Sequence, residues 1–249
     1  MSANTKLQEK IAIVTGGSRS IGAAIVRRLA AEGATVAFTY NASPDKAEAL
    51  VTEIQATGGK ALAIQADAGS PEAVRQAVSQ VAASFGRVDI LVNNAGISVL
   101  GQPEQIAFAD FERILAVNVT GVFVATQEAL KHMGSGGRII NIGSSMVQYA
   151  AFGTASAYTL TKGAVAGFSR GLVRDLGPRG ITVNTIHPGP TDSDMNPADG
   201  AVADFVRPNI AVGRYGMGSD IASTVTFLAS EEAAFVTGAE LLVDGGFTA

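Results

Sequence analysis

The chain of 249 residues predicts an α/β fold: one doubly wound domain in which a parallel sheet of seven strands is flanked by helices. Three observations carry that reading. Seven short apolar runs are rich in β-branched residues, helical patterns separate them, and a glycine-rich turn follows the first run directly. No linker, tandem repeat or low-complexity stretch interrupts the alternation, so residues 1–249 read as a single domain.

Lys10 to Thr15 (KIAIVT) reads as a strand buried on both faces. A helix follows from Ser20, with Ile21, Ile25 and Leu29 spaced by four and Gly33 as its stop. Thr35 to Thr39 is the second strand and completes a βαβ unit. The alternation continues with a helix at Pro44 to Thr57, a strand at Ala61 to Gln65, a helix at Pro71 to Phe85 and a strand at Val88 to Val92. A helical stretch at Phe108 to Leu130, a strand at Arg138 to Ile142, and the helix carrying Tyr158 and Lys162 come next. Ile181 to Ile186 is a strand, and the Gly/Pro/Asp-rich segment Pro188 to Gly200 reads as irregular. A helix at Ile221 to Leu228 and a strand at Leu241 to Val243 close the chain. Right-handed crossovers place the strands' C-terminal ends along one edge, where ligands bind.

Composition narrows the function classes. With 47% apolar and 16% charged residues the chain is globular, and a net charge of −4 without a basic run argues against nucleic acid. The absence of cysteine excludes disulfides and thiolate metal sites, and two histidines, His132 and His187, make a histidine-based metal site or a Ser-His-Asp triad hard to build. Both histidines read as packing or solvent-facing residues. MSANTKLQEK lacks the apolar core of a signal peptide, and no run of about 18 apolar residues occurs. A cytoplasmic, soluble protein without a membrane partner is expected.

TGGSRSIG, Thr15 to Gly22, lies between strand and helix, where free amides and the helix dipole attract a pyrophosphate. Gly16, Ser18, Arg19, Ser20, Ile21 and Gly22 are its candidate cofactor contacts. Ser20 is read as the helix N-cap; a positive φ there would cost a serine roughly 1–2 kcal/mol. After the second strand the chain runs Phe38-Thr39-Tyr40-Asn41-Ala42-Ser43, with no carboxylate to bind ribose hydroxyls or repel a 2′-phosphate. Arg19 can offer a guanidinium to that phosphate, and Thr39, Asn41 and Ser43 can donate to it. NADP(H) is therefore expected over NAD(H), with Tyr40, Asn41 and Ser43 beside its phosphate.

Tyr158 and Lys162, four apart, share one helical face. A phenol with a pKa of about 10 is a poor acid or base near neutrality, and an ammonium beside it lowers that value. Ser144, which could bond a carbonyl oxygen, follows an apolar strand upstream.

Together these stretches, with DILVNNAG at Asp89, Asn118 in NVTG, VNTIHPGP at Val183 and VTGAELLVDGG at Val236, resemble the short-chain dehydrogenase/reductase family over nearly the whole chain. The resemblance implies a Rossmann-type sheet and hydride transfer between a nicotinamide and a carbonyl/alcohol pair. It also implies roles by position. Tyr158 would be the acid/base, Ser144 would polarise the substrate oxygen, Lys162 would bond the nicotinamide ribose, and Asn118 would hold a water linking Lys162 to solvent. Asp67 and Ala68 would meet the adenine; Asn93, Ala95 and Gly96 would shape the cleft; Pro188 and Gly189 would lie beside the nicotinamide. Ser193 or Thr191 would bond the carboxamide, Ser193 being preferred. The commonest family spacing of serine to tyrosine is thirteen and selects Ser145, whereas the strand-end pattern N-I-x-S selects Ser144, fourteen before Tyr158; Ser144 is taken here.

A lid at about residues 194–210 carries Met195, Phe205, Val206 and Ile210 with little positive charge beyond Arg207, which suits an uncharged substrate. The reading is an NADPH-dependent ketone or aldehyde reductase. Alternatives are a 3-oxoacyl-[acyl-carrier-protein] reductase, for which Lys131, Arg170 and Arg174 are candidate docking cations, and a nucleotide-binding regulatory module. The resemblance also implies a homotetramer or homodimer, and no metal.

Overall fold

The computed structural model describes residues 5–249; residues 1–4, part of the stretch read as lacking a signal peptide, lie outside them. Seven parallel strands form one sheet: β1 (Ile11–Val14), β2 (Thr35–Tyr40), β3 (Lys60–Gln65), β4 (Ile90–Asn93), β5 (Arg138–Ile142), β6 (Thr182–Pro188) and β7 (Glu240–Val243). Their spatial order is β3-β2-β1-β4-β5-β6-β7. Among the described residues eight α-helices accompany them: α1 (Ser20–Ala31), α2 (Pro44–Ala56), α3 (Pro71–Phe85), α4 (Phe108–Leu115), α5 (Gly121–Ala129), α6 (Ser156–Leu176), α7 (Ala201–Val206) and α8 (Gly218–Ala229). The order reverses between β1 and β4, and that switch opens a crevice beyond the strands' C-terminal ends.

The central strands β1, β4, β5 and β6 are buried throughout, the polar residues of β5 and β6 included. Alternate residues of β1 serve opposite faces. Ala12 and Val14 join Ile25 and Leu29 of α1 and Ile221 and Val225 of α8 in one core; Ile11 and Ile13 join Val78 of α3, Val124 of α5 and Leu172 of α6 in the other. A chain of buried polar side chains crosses the second core. Asn93 on β4 donates to Asn141 on β5 (2.8 Å), Asn141 donates to Ser169 on α6 (2.8 Å), and Thr185 on β6 donates to the same serine (2.9 Å). This chain sets the position of α6 along the sheet.

Three features differ from the sequence expectation. β4 begins at Ile90 rather than Val88, the Val88 amide bonding the His132 carbonyl outside the sheet and the Asp89 amide the Ile11 carbonyl at the N-terminal end of the strand. The single helix expected over Phe108–Leu130 is α4 and α5 joined by a π-helical turn at Ala116–Thr120. At that turn Gly121 packs so closely that a Cβ would overlap the Ala68 carbonyl oxygen. Third, part of the lid is helical, as α7 followed by a 3-10 turn at Arg207–Asn209. Among the described residues, no helix is long and apolar enough to cross a membrane.

The Gly121 contact has a measurable consequence. Gly121→Ala forces α5 away from the end of β3, and urea unfolding should show a loss of about 1–3 kcal/mol, the usual cost of overpacking, although alanine is the better helix former.

Candidate active site

The turn after β1 is held from both sides. Thr15 Oγ1 accepts from the amides of Asn94 and Ala95 (3.0 Å each), and Asn94 Nδ2 donates to the carbonyls of Thr15 and Gly16. From β2, Thr39 Oγ1 accepts from Gly16 N–H (3.0 Å) and the Thr39 carbonyl from Gly17 N–H (2.8 Å). Thr39 is buried and holds the loop as an acceptor. Gly16 has φ +65° and lies against Ala95, and a Cβ at Gly22 would overlap the Gly16 carbonyl oxygen. Ser18 is buried in the loop, and Ile21 packs partly against the first core.

Ser20 corrects the reading of it as N-cap. Its φ is +50°, in the left-handed region, while Arg19 occupies the cap position with an extended backbone and no side-chain cap bond. The conformation that glycine adopts freely is here adopted by serine, at a cost of roughly 1–2 kcal/mol. The Ser20 hydroxyl instead accepts from the Asp194 amide (3.1 Å), tying loop to lid, and no side chain caps the first amides of α1. Arg19 pairs with the Asp194 carboxylate (3.1 Å), and Lys46 of α2 lies 3.7 Å from the same oxygen. Two cations thus converge on one anion beside the loop. Lys46 was missed in the sequence because a lysine six residues past β2 carries no signal until α2 turns it toward Arg19.

Beyond β2, Tyr40 and Ser43 are partly accessible and Asn41 is exposed. Asp67 places its carboxylate on Arg113 (2.8 and 3.1 Å) and the Gly69 amide; the guanidinium chiefly holds its pKa below the ordinary value. Ala68 packs its carbonyl on Gly121. Asn93 faces the buried polar chain, so its neighbour Asn94 is the asparagine that shapes the loop. Ala95 and Gly96 border the cleft, Gly96 lying close to both Lys162 and Asn118. Gly189 packs so tightly on Asp244 that no side chain fits, directly after Pro188 at the end of β6. Thr191 is buried and donates to the Gly189 carbonyl, whereas Ser193, more accessible, accepts from Asn196 N–H in a tight turn.

At the end of β5 the structure brings together Ser144, Tyr158 and Lys162. The Ser144 hydroxyl stands close enough to the Tyr158 phenol to favour its phenolate, while Ser145 is buried at the start of a 3-10 turn. Lys162 is buried; its Nζ donates to the Ile142 carbonyl (2.9 Å) and lies 5.7 Å from the Tyr158 ring centroid. Asn118 sits in the π turn with its side chain accepting from Ile97 N–H and donating to the Ile97 carbonyl and Thr161 Oγ1. The electrostatics depart from expectation. Although Tyr158 keeps some accessible surface, desolvation pushes its pKa up, partly countered by the Ser144 hydroxyl, and the lysine does not reverse this.

The chain matches the family described as Enoyl-(Acyl carrier protein) reductase over residues 16–248. A solved short-chain dehydrogenase/reductase from Serratia marcescens BCRC 10948 is 54% identical, with a TM-score of 0.96, covering 98% of this chain and 100% of its own. A short chain dehydrogenase from Burkholderia cenocepacia J2315, solved in complex with NADP, is 51% identical, with the same TM-score and the same coverage of both chains. The cyclic-di-GMP-binding biofilm dispersal mediator protein of Escherichia coli K12 is 43% identical over 96% of this chain and 98% of its own.

Burial lowers the Lys162 pKa from 10.5 to about 8. Below pH 8 the folded protein carries a costly buried ammonium. Between about 8 and 10.5 the folded state has lost the proton that the unfolded state still binds, so stability rises with pH. In ligand-free protein, the stability of wild type relative to Lys162→Met should increase across this window by at most about 3 kcal/mol and level off on either side. Urea titrations at a series of pH values check this; a difference independent of pH excludes it.

Proposed function

Because the chain belongs to the short-chain dehydrogenase/reductase family of oxidoreductases, we propose that it is an NADPH-dependent reductase of neutral, apolar ketones or aldehydes. The convergence of Ser144, Tyr158 and Lys162 at the end of β5 carries this reading. The residues around the loop fit a 2′-phosphorylated dinucleotide: Arg19 and Lys46 already gather one anionic oxygen, and the first amides of α1 are free of side-chain caps. Tyr40, Asn41 and Ser43 would border the phosphate. Asp67 and Ala68 would line the adenosine side, Ala95 and Gly96 the cleft between, with Pro188, Gly189, Thr191 and Ser193 at the nicotinamide. When bound, NADPH supplies the hydride that the carbonyl carbon receives. Tyr158 gives its proton to the carbonyl oxygen, Ser144 bonds that oxygen as negative charge grows, and Lys162 places positive charge behind the phenol.

A cavity of about 510 Å³ lies between Tyr149 and Phe152, Phe205 of α7, and Phe247 near the C-terminus, and Asn209 and Thr248 add polar groups to its wall. The lid's cation, Arg207, is engaged by Asp204, the Ala198 carbonyl and the Tyr215 ring, so it does not greet an anionic substrate. The acyl-carrier-protein alternative draws support from the matching family's description, but of its docking cations Lys131 pairs with Glu128 and Arg170 with Glu240. The regulatory alternative draws support from the name of the Escherichia coli relative. Exposed Phe123, its ring tilted against Phe168, and the open glycines Gly163, Gly167 and Gly171 of α6 suit self-association as a dimer or tetramer, which sedimentation tests.

A panel of neutral ketones, aldehydes and acyl thioesters, followed by NADPH oxidation, should show turnover of the first two classes. Tyr158→Phe and Ser144→Ala should lower kcat by about 10²–10⁴, with Ser145→Ala much milder. Turnover confined to thioesters selects the carrier-protein reading; no turnover at all, with cellular function intact in Tyr158→Phe, selects the regulatory one.

Cofactor preference is separately measurable. Arg19→Ala and Lys46→Ala should each weaken NADP⁺ binding about tenfold or more in calorimetry while changing NAD⁺ binding little. Equal losses for both cofactors would remove the phosphate assignment.

A further inference from the structure

We propose that His187 is a positioning residue for Ser144, holding the main chain at the end of β5 so that the serine hydroxyl faces Tyr158. This rests on the functional reading above.

His187 lies on β6 and is completely buried. The β5–β6 ladder ends where the Gly143 amide donates to the Ile186 carbonyl (2.7 Å). One residue later the imidazole takes over from the main chain. Its Nδ1 lies 3.2 Å from the Ser144 amide nitrogen and 2.9 Å from the Ser144 carbonyl oxygen. On the far side, Nε2 meets Glu240 Oε2 on β7 at 3.1 Å, and Arg170 of α6 holds the other carboxylate oxygen at 3.4 Å. The ring fits because residue 143 is glycine: a Cβ there would lie 2.5 Å from Nδ1.

A carboxylate only accepts, so Nε2 keeps its proton. A neutral ring accepts at Nδ1 from the Ser144 amide, and an imidazolium donates there to the Ser144 carbonyl. Each form holds the Ser144 main chain, and each leaves both nitrogens partnered, as a buried imidazole requires. The contact falls where the chain leaves the sheet: Ser144 is still extended, and the 3-10 turn begins at Ser145. Within that turn Ser144 Oγ accepts from the Met146 amide (3.3 Å), which leaves its own hydrogen free to point outward. A shift of this peptide would move that hydroxyl relative to Tyr158, and misplacement by about 1 Å is enough to cost rate.

Three variants test the assignment. Asparagine puts an amide near the place of Nδ1 and serves Ser144; glutamine puts one near Nε2 and serves Glu240; alanine serves neither. His187→Ala and His187→Gln should lose kcat about ten- to hundredfold with little change in KM, and His187→Asn should recover most of it. A second readout needs no substrate. The Ser144 hydroxyl bond favours the Tyr158 phenolate, so the phenol should titrate at higher pH in the alanine and glutamine variants than in wild type or His187→Asn, measured as phenolate absorbance against Tyr158→Phe. Losses that follow urea stability instead, recovery by glutamine but not asparagine, or no change in any variant would overturn the proposal. A wild-type protein that reduces no carbonyl overturns the functional reading alone, because the phenol titration still decides the role of His187.

Discussion

The position of α6 along the sheet depends on polar groups that have no water to fall back on. Asn93, Asn141, Thr185 and Ser169 are buried, and each must find its partner inside the core. They do so, Asn93 Oδ1 excepted, through one chain from β4 and β5 to Ser169, with Thr185 of β6 joining there. Sliding α6 by a turn would strand several of these groups, at about 1–3 kcal/mol each. Lys162 lies seven residues before Ser169 and Tyr158 eleven before, two and three turns back on the same face. The bond that fixes the helix in the core therefore fixes where the phenol and the ammonium stand at the crevice.

That placement governs the electrostatics. With both groups withdrawn from solvent, burial favours the neutral form of each, raising the phenol and lowering the lysine. The ligand-free site is thus governed by desolvation rather than by attraction between the two charges. Tyr158 keeps its proton near neutrality, the form a reduction needs, and Ser144 is the neighbour that eases its release.

The other end of the crevice follows a different logic. Arg19, Lys46 and Asp194 are half exposed, where ion pairs contribute at most about 1 kcal/mol, so a phosphate can take the place of the carboxylate cheaply. The bond from the Asp194 amide to Ser20 joins the lid to the loop at the same point. A strained serine thus sits where loop, helix and lid meet.

Much of this was legible in the chain, because it is written in local patterns. Apolar runs gave the strands, the four-residue spacing paired Tyr158 with Lys162, and the strand-end pattern preferred Ser144 to Ser145. What the chain left unreadable involves partners distant in sequence. Thr39 turns toward Gly16, Lys46 turns toward Asp194, and His187 reaches Ser144 and Glu240, each across a pairing that exists only once the strand order is set. The left-handed Ser20 and the π turn before Gly121 arise from close approaches of the backbone, which periodicity does not record. Local spacing determined which residues could do chemistry; tertiary packing decided which are free to do it, because a buried polar group serves whichever partner the fold brings within reach.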